Sequence, residues 1–176
     1  FVTAWERSRS GTFVASGTFE RRSEVTGARI ASADVVAQRP PRRLHRQLGG
    51  VEGRDDDRLL VCPAPPAGGG RAAECQMGQP QGATYAESVA AEVDALRTIV
   101  VGGNRVYSVR ETEAGCFSLE QLRVEPLAPF GVRARFCFDA ATGAPAASRV
   151  DYAGGIVEVL AVTDIRAEVL DADLVP

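Results

Sequence analysis

The sequence predicts an α+β protein: a mostly antiparallel sheet carrying one long amphipathic helix. Three observations predict it. Short segments with period-two alternation recur along the chain, placing alternate side chains on opposite faces of strands. One segment, Thr84–Val100, instead carries its apolar residues at steps of three and four. Clusters of Gly, Asp and Pro separate the strands at short intervals, as tight connections require.

Taken in order, Phe1–Ser10 reads as one or two helical turns, with Phe1 and Trp5 on one face and Trp5 as a core plug. Gly11–Ser23 alternates as a strand, Phe13, Ala15, Gly17 and Phe19 sharing one face. Glu24–Gly27 is a polar, Gly-ended turn. Ala28–Gly50 reads as one long strand interrupted at Pro40–Pro41. Ala31, Ala33, Val35 and Ala37 form its apolar face, opposite Ser32, Asp34 and Gln38. Neither proline can donate to a ladder, so the pair marks an edge, a bulge or a sharp bend. Beyond it Leu44 and Leu48 are the expected inward residues.

Val51–Cys62 reads as a hairpin turning at Asp55–Asp56–Asp57. Three adjacent carboxylates lack the alternate ligand spacing, the Gly and the distal Glu of a calcium loop, so a solvated turn is expected. Residues 63–82, with the run PAPPAGGG, are too rich in Pro and Gly to hold regular structure for long and read as a flexible loop. Thr84 and Glu87 have capping-box spacing at the start of the helix. Val89, Val93, Leu96 and Val100 form its buried stripe, and Gly102–Gly103 ends it. Strands are then expected at Arg105–Arg110, Cys116–Arg123, Val132–Asp139, Ala146–Tyr152 and Ile156–Thr163, with a last extended piece near Ile165–Leu170.

The four cysteines, Cys62, Cys75, Cys116 and Cys137, fall in two sequential pairs. That pattern favours two disulfides and an oxidising compartment over free thiols, and zinc last, since these spacings are far wider than C-x2-C. Cys116 and Cys137 each lie opposite their strand's apolar set, as a bridge on one face of neighbouring strands would require. The chain opens on Phe1 rather than Met, and no run approaches the roughly 20 apolar residues of a membrane span. A trimmed or processed form is expected, with a removed signal or membrane anchor upstream.

Composition excludes more than it assigns. With 176 residues, 45% of them hydrophobic, the chain suits one well-filled core, and 1–176 reads as a single domain. A net charge of −3 gives no general pull toward nucleic acid. All 20 basic residues are Arg, a bias that coding composition explains as well as function does. His45 is the sole histidine, no G-x-S-x-G frames a serine, and Gly68–Gly69–Gly70 lacks the G-K-[ST] of a phosphate loop. No catalytic constellation, metal site or cofactor is expected.

The order strand, strand, hairpin, loop, helix, meander carries a resemblance. Gln38–Arg39–Pro40, the following Arg42–Arg43–Leu44 and the hairpin Val51–Cys62 resemble the opening of the bacterial lipoprotein-carrier fold, the family of LolA and LolB. Periplasmic regulators of the RseB type and lipid-carrying lipoproteins share that fold. The tail Thr163–Asp164–Ile165, ending in Asp171–Ala172–Asp173–Leu174, is similar to its closing strands. The resemblance implies a strongly curved, mostly antiparallel sheet, an open half-barrel with helices packed on its concave side. It also implies a non-enzymatic, extracytoplasmic binding protein, periplasmic or at the cell surface.

Two functional expectations follow. The first is a cleft for a lipid, an acyl chain or a lipid-modified protein, lined by Phe13, Phe19, Val35, Leu44, Val93, Leu96, Phe117 and Phe136. The second is an envelope-sensing interaction domain in which Arg39, Arg42, Arg43 and Arg46 meet an acidic partner or lipid headgroups.

Overall fold

A computed structural model describes residues 1–47, 50–63, 75–125 and 128–176. Eleven strands form one antiparallel sheet in the order β6-β5-β4-β3-β2-β1-β11-β10-β9-β8-β7. The sheet is curved and does not close on itself. Helices α1 (Val2–Ser10) and α2 (Tyr85–Val100) lie on its concave side. The α+β half-barrel is therefore the observed class.

The first half of the sheet is built from β1 (Phe13–Ser23), β2 (Arg29–Arg39), β3 (Arg42–Gln47), β4 (Gly50–Asp55), β5 (Arg58–Cys62) and β6 (Gln76–Pro80). The second is a meander of β7 (Tyr107–Glu113), β8 (Cys116–Gln121), β9 (Arg133–Phe138), β10 (Pro145–Asp151) and β11 (Ile156–Arg166). β1 and β11, in the middle of the sheet, join the halves along ten paired positions from Val14↔Arg166 to Ser23↔Ile156. Their register shifts at Ser16/Gly17, where a Cβ on Gly17 would stand 2.1 Å from the Ala161 carbonyl oxygen. Glycine is what lets the two central strands approach there.

Four expectations are corrected. Pro40–Pro41 does not interrupt one strand; it reverses the chain. Arg39 pairs with Arg42 across it, so β2 and β3 form a hairpin whose turn is the cis Pro40–Pro41 pair. Two residues without N–H groups are excluded from a ladder but lose nothing in a turn. Within the expected loop 63–82, Gln76–Pro80 forms the edge strand β6 against β5, with its proline opposite Arg58 at the end of an edge strand, the place in a sheet where proline is tolerated. The extended piece at Ile165 belongs to β11, which continues to Arg166 past the register shift. Asp171–Leu174 is a turn of 3-10 helix, not a closing strand: the Asp173 carboxylate accepts from the Leu170 backbone N–H at 2.7 Å. Leu48 and Gly68–Gly70 lie outside the described residues.

The two cysteine pairs are bonded as Cys62–Cys75 and Cys116–Cys137; Cys116 and Cys137 face each other directly across β8 and β9. At the α2 N-terminus Thr84 accepts from the Glu87 backbone N–H while the Glu87 carboxylate accepts from the Thr84 N–H at 2.8 Å, the reciprocal cap its spacing predicts.

Both faces of β1–β3 are covered. Phe13, Ala15 and Val36 are buried on the concave side; Val14 and Ala37 are buried on the convex side beneath Val169 and Leu174 of the C-terminal segment. β2 therefore departs from the sequence expectation. Asp34 and Gln38, expected on the face opposite the apolar set, are both buried. Strands packed on both faces lose the alternation that reports which face is inside.

Candidate functional site

The concave side is packed with rings at one end, where a cleft of about 420 Å³ remains at the margin beside Phe1, Phe117 and Phe138, and has a second cleft at the other. Over β7–β10 the space beneath the helices is packed with rings. Phe1 lies 5.7 Å from Phe117 and 5.6 Å from Phe136, Trp5 lies 5.5 Å from Phe130, and Phe130 lies 5.2 Å from Phe136. Leu96, Val100, Tyr107 and Leu119 complete this core. Such ring spacings are those of closed packing.

Over β3–β5 the arrangement differs. A cleft of about 450 Å³ separates the first half of α2 from the sheet, within the range of small-ligand sites. Val89, Ser88 and Tyr85 of α2 form its roof, and Arg9 at the end of α1 borders it. Its floor follows from the register: Gln38 pairs with Arg43, Arg43 with Arg54, and Arg54 with Leu59, while His45 pairs with Glu52 and Glu52 with Val61. All share the concave face. Leu59 and Val61 remain 40% and 49% exposed although they lie under a helix.

The hinge between filled and open ends is polar. The Gln38 side-chain amide, fully buried, donates to the carbonyls of Ser8 (3.0 Å) and Gly11 (2.8 Å). The Tyr85 hydroxyl donates to the Arg9 carbonyl at 2.7 Å and lies 3.2 Å from Gln38 Oε1. Burial pushes the Tyr85 hydroxyl pKa upward, so it stays a donor. Trp5 Nε1 and Arg9 both donate to Glu92, and Arg9 stands 5.0 Å over the Trp5 ring. These contacts fix α1, α2 and β2 to one another beside the cleft.

Among the three arginines of the cleft, two are engaged. Arg9 pairs with Glu92; Arg54 donates to the carbonyls of Asp56 and Ala83, each at 2.6 Å. Arg43 Nε is buried without a hydrogen-bond partner, and Arg43 forms no ion pair among the described residues. Burial, and next the nearby Arg9 charge, lower its pKa from the ordinary guanidinium value. Farther along the floor Asp34, buried, lies 2.7 Å from His45 Nε2 and accepts from Gln47 at 3.0 Å. Among the described residues no three His, Cys, Asp or Glu side chains converge as a metal site would require.

The residues expected to line a cleft lie elsewhere. Phe13 is buried in the core beside Ala15 and Val36, and Phe19 is half-buried on the same face. Val93 and Leu96 are buried on α2, and Phe117 and Phe136 belong to the ring cluster. Leu44 is buried and Val35 half-buried on the convex side, toward the C-terminal segment. Of the eight, none lines the 450 Å³ cleft. The arginine group is likewise not one patch. Arg39 donates to the Val169 carbonyl and Asp171, Arg42 to the Leu174 carbonyl, and Arg46 to the carbonyls of Asp173 and Val175. These three are occupied by the chain's own C-terminal segment, while Arg43 points through the other face. Alternation along β3 already separates Arg43 from Arg42. The run Leu59–Leu60–Val61 was the sequence signal for the cleft floor, since consecutive apolar residues place one on each face in turn.

No protein-family model matches the chain, and no curated protein matches it. Solved structures do. A chain of the Pseudomonas aeruginosa MucA/MucB complex aligns over 99% of this chain and 60% of its own length, with 14% identity and a TM-score of 0.52. A LolA superfamily protein from Nitrosomonas europaea aligns over 99% of this chain and 96% of its own, at 9% identity and a TM-score of 0.39. A putative outer membrane lipoprotein-sorting protein domain from Vibrio parahaemolyticus covers 98% and 94%, at 11% identity and a TM-score of 0.25.

The class is thus an open antiparallel half-barrel, a fold shared with the chain from the MucA/MucB complex. This chain spans 60% of the length of that chain.

Proposed function

We propose that this chain is a non-enzymatic, extracytoplasmic protein that binds an apolar ligand, a lipid or acyl chain, free or attached to protein, between α2 and β3–β5. One observation carries the reading: Leu59 and Val61 stay 40% and 49% exposed beneath a helix, facing a 450 Å³ cleft. Apolar surface left wet in a concave site gains free energy, about 25 cal/mol per Å², when a ligand covers it. The two disulfides support an oxidising compartment. One sheet running through both chain halves supports reading 1–176 as one domain. No helix among the described residues is long and apolar enough to cross a membrane.

The experiment is native mass spectrometry of wild type and Val89→Trp, each purified from a Gram-negative periplasm, with organic extraction alongside. Val89 lines the roof of the cleft, so an indole there occupies the ligand's volume. A lipid retained by wild type and missing from folded V89W supports the cleft. Equal retention by both removes it.

A second reading is a protein-interaction domain of an envelope regulator. The fold match is to a chain of a two-protein complex, and the sheet ends in the edge strands β6 and β7, the positions at which a sheet accepts a partner strand.

A further inference from the structure

Arg43 is the group that the binding reading leaves unexplained. It is half-buried, with its Nε fully out of water and without a partner among the described residues. A guanidinium stays protonated in proteins, and shielding one of its N–H groups without a hydrogen-bonding acceptor costs free energy that a neutral side chain of the same length avoids. Every other cation near it has a partner: Arg9 has Glu92, and Arg54 has backbone carbonyls. The carboxylates within reach are also engaged or displaced. Glu92 serves Trp5 and Arg9, Asp34 serves His45 and Gln47, and Glu52 stands exposed at the lip. Three arginines and two glutamates line the cleft, so the wall carries one positive charge in excess, and Arg43 is its unpaired member. The same cavity presents Leu59, Val61 and Val89.

We infer that the cleft takes an anionic amphiphile, its single carboxylate or phosphate head group pairing with Arg43 while its tail covers Leu59, Val61 and Val89. The inference rests on the binding reading above and narrows it from any apolar ligand to one with a charged head. A carboxylate or phosphate offers the planar guanidinium two acceptors at once and supplies the missing partner for Nε. Charge-assisted pairing of this kind contributes about 1.5–3 kcal/mol, or roughly ten-fold to a hundred-fold in affinity.

Isothermal titration calorimetry with four probes tests it: dodecanoate, dodecyl phosphate, dodecanol and inorganic phosphate, each against wild type, Arg43→Met and Arg43→Lys. The expected result is binding of dodecanoate or dodecyl phosphate at least about ten-fold tighter than dodecanol. R43M erases that preference and leaves dodecanol affinity unchanged; R43K retains part of it. The two anionic probes distinguish a carboxylate from a phosphate head. Dodecanol binding as tightly as the acids, or R43M keeping the preference, overturns the anchor and leaves the apolar cleft standing. Inorganic phosphate binding as tightly as dodecyl phosphate overturns the amphiphile in favour of a free anion. Failure of all three dodecyl probes removes the cleft and the anchor together. Thermal melting of R43M guards the comparison: replacing a half-buried guanidinium whose Nε has no partner leaves the melting temperature equal or higher, so a fall in melting temperature shows that Arg43 holds the fold and overturns its role as a ligand anchor.

Discussion

Trp5 Nε1 donates to Glu92 Oε1 at 2.8 Å, joining α1 to α2 across 87 residues of sequence. The same carboxylate accepts from Arg9, whose guanidinium lies over the Trp5 indole, so one side chain serves two donors of the neighbouring helix. This contact ties the filled end of the concavity to the open one.

Glu92→Ala leaves the indole N–H without its acceptor and frees Arg9 toward the cleft. The expected cost is about 1–2 kcal/mol, since Glu92 is partly solvated. Trp5 is the only tryptophan, so its emission reports α1 alone and shifts to longer wavelength as the helix loosens. Glu92→Gln keeps an acceptor and loses less. Unchanged emission and an unchanged denaturation midpoint in E92A would show that the rings alone hold α1.

Gln38 is the buried junction of α1, β2 and α2. Gln38→Leu preserves volume but strips the donors from the carbonyls of Ser8 and Gly11. The expected destabilisation is about 1–3 kcal/mol. Urea denaturation checks it, and a change below about 0.5 kcal/mol, the size of an ordinary surface substitution, would show that water replaces the amide.

The C-terminal segment is held to the convex face by charge as well as by Val169 and Leu174. A hydrogen bond from Arg39 holds the Asp171 carboxyl below the usual carboxylate range, and one from Arg166 does the same for Asp173, aided by the Leu170 N–H. Their pKa values are depressed in the folded state, so the stabilisation is fully present above the ordinary carboxylate value and fades as pH falls through the folded one. The segment should stay docked from neutrality to pH 5 and loosen below about pH 4. Methyl resonances of buried Leu174, followed from pH 7 to pH 2.5, are the measurement. Shifts that stay constant over that range would assign the docking to apolar contact alone.

Much of the fold was legible in the sequence because it rests on short-range rules. Thr84 and Glu87 cap α2 as their spacing predicts, Asp55–Asp57 turns the β4–β5 hairpin, and the opposed faces of Cys116 and Phe117 place the bridge to Cys137. The Pro40–Pro41 hairpin was not legible, since two prolines forbid a ladder without saying whether the chain bends or reverses. Nor was the burial of Asp34 and Gln38. A polar residue satisfied in a core and one in solvent look alike along a strand.

Short-range spacing along the chain sets which segments alternate, where the helix begins and which cysteines share a face. Tertiary structure alone decided what each arginine does. Arg39, Arg42 and Arg46 meet groups 127–132 residues away, whereas Arg43, one position from Arg42, passes to the opposite face, where its Nε meets no partner among the described residues. Hydrogen-bond partners at such separations are set by how the sheet curves and where the C-terminal segment lies, and neither is written in local spacing. The open end of the half-barrel has the same origin: it exists because the aromatic side chains were spent over β7–β10, leaving Leu59 and Val61 uncovered.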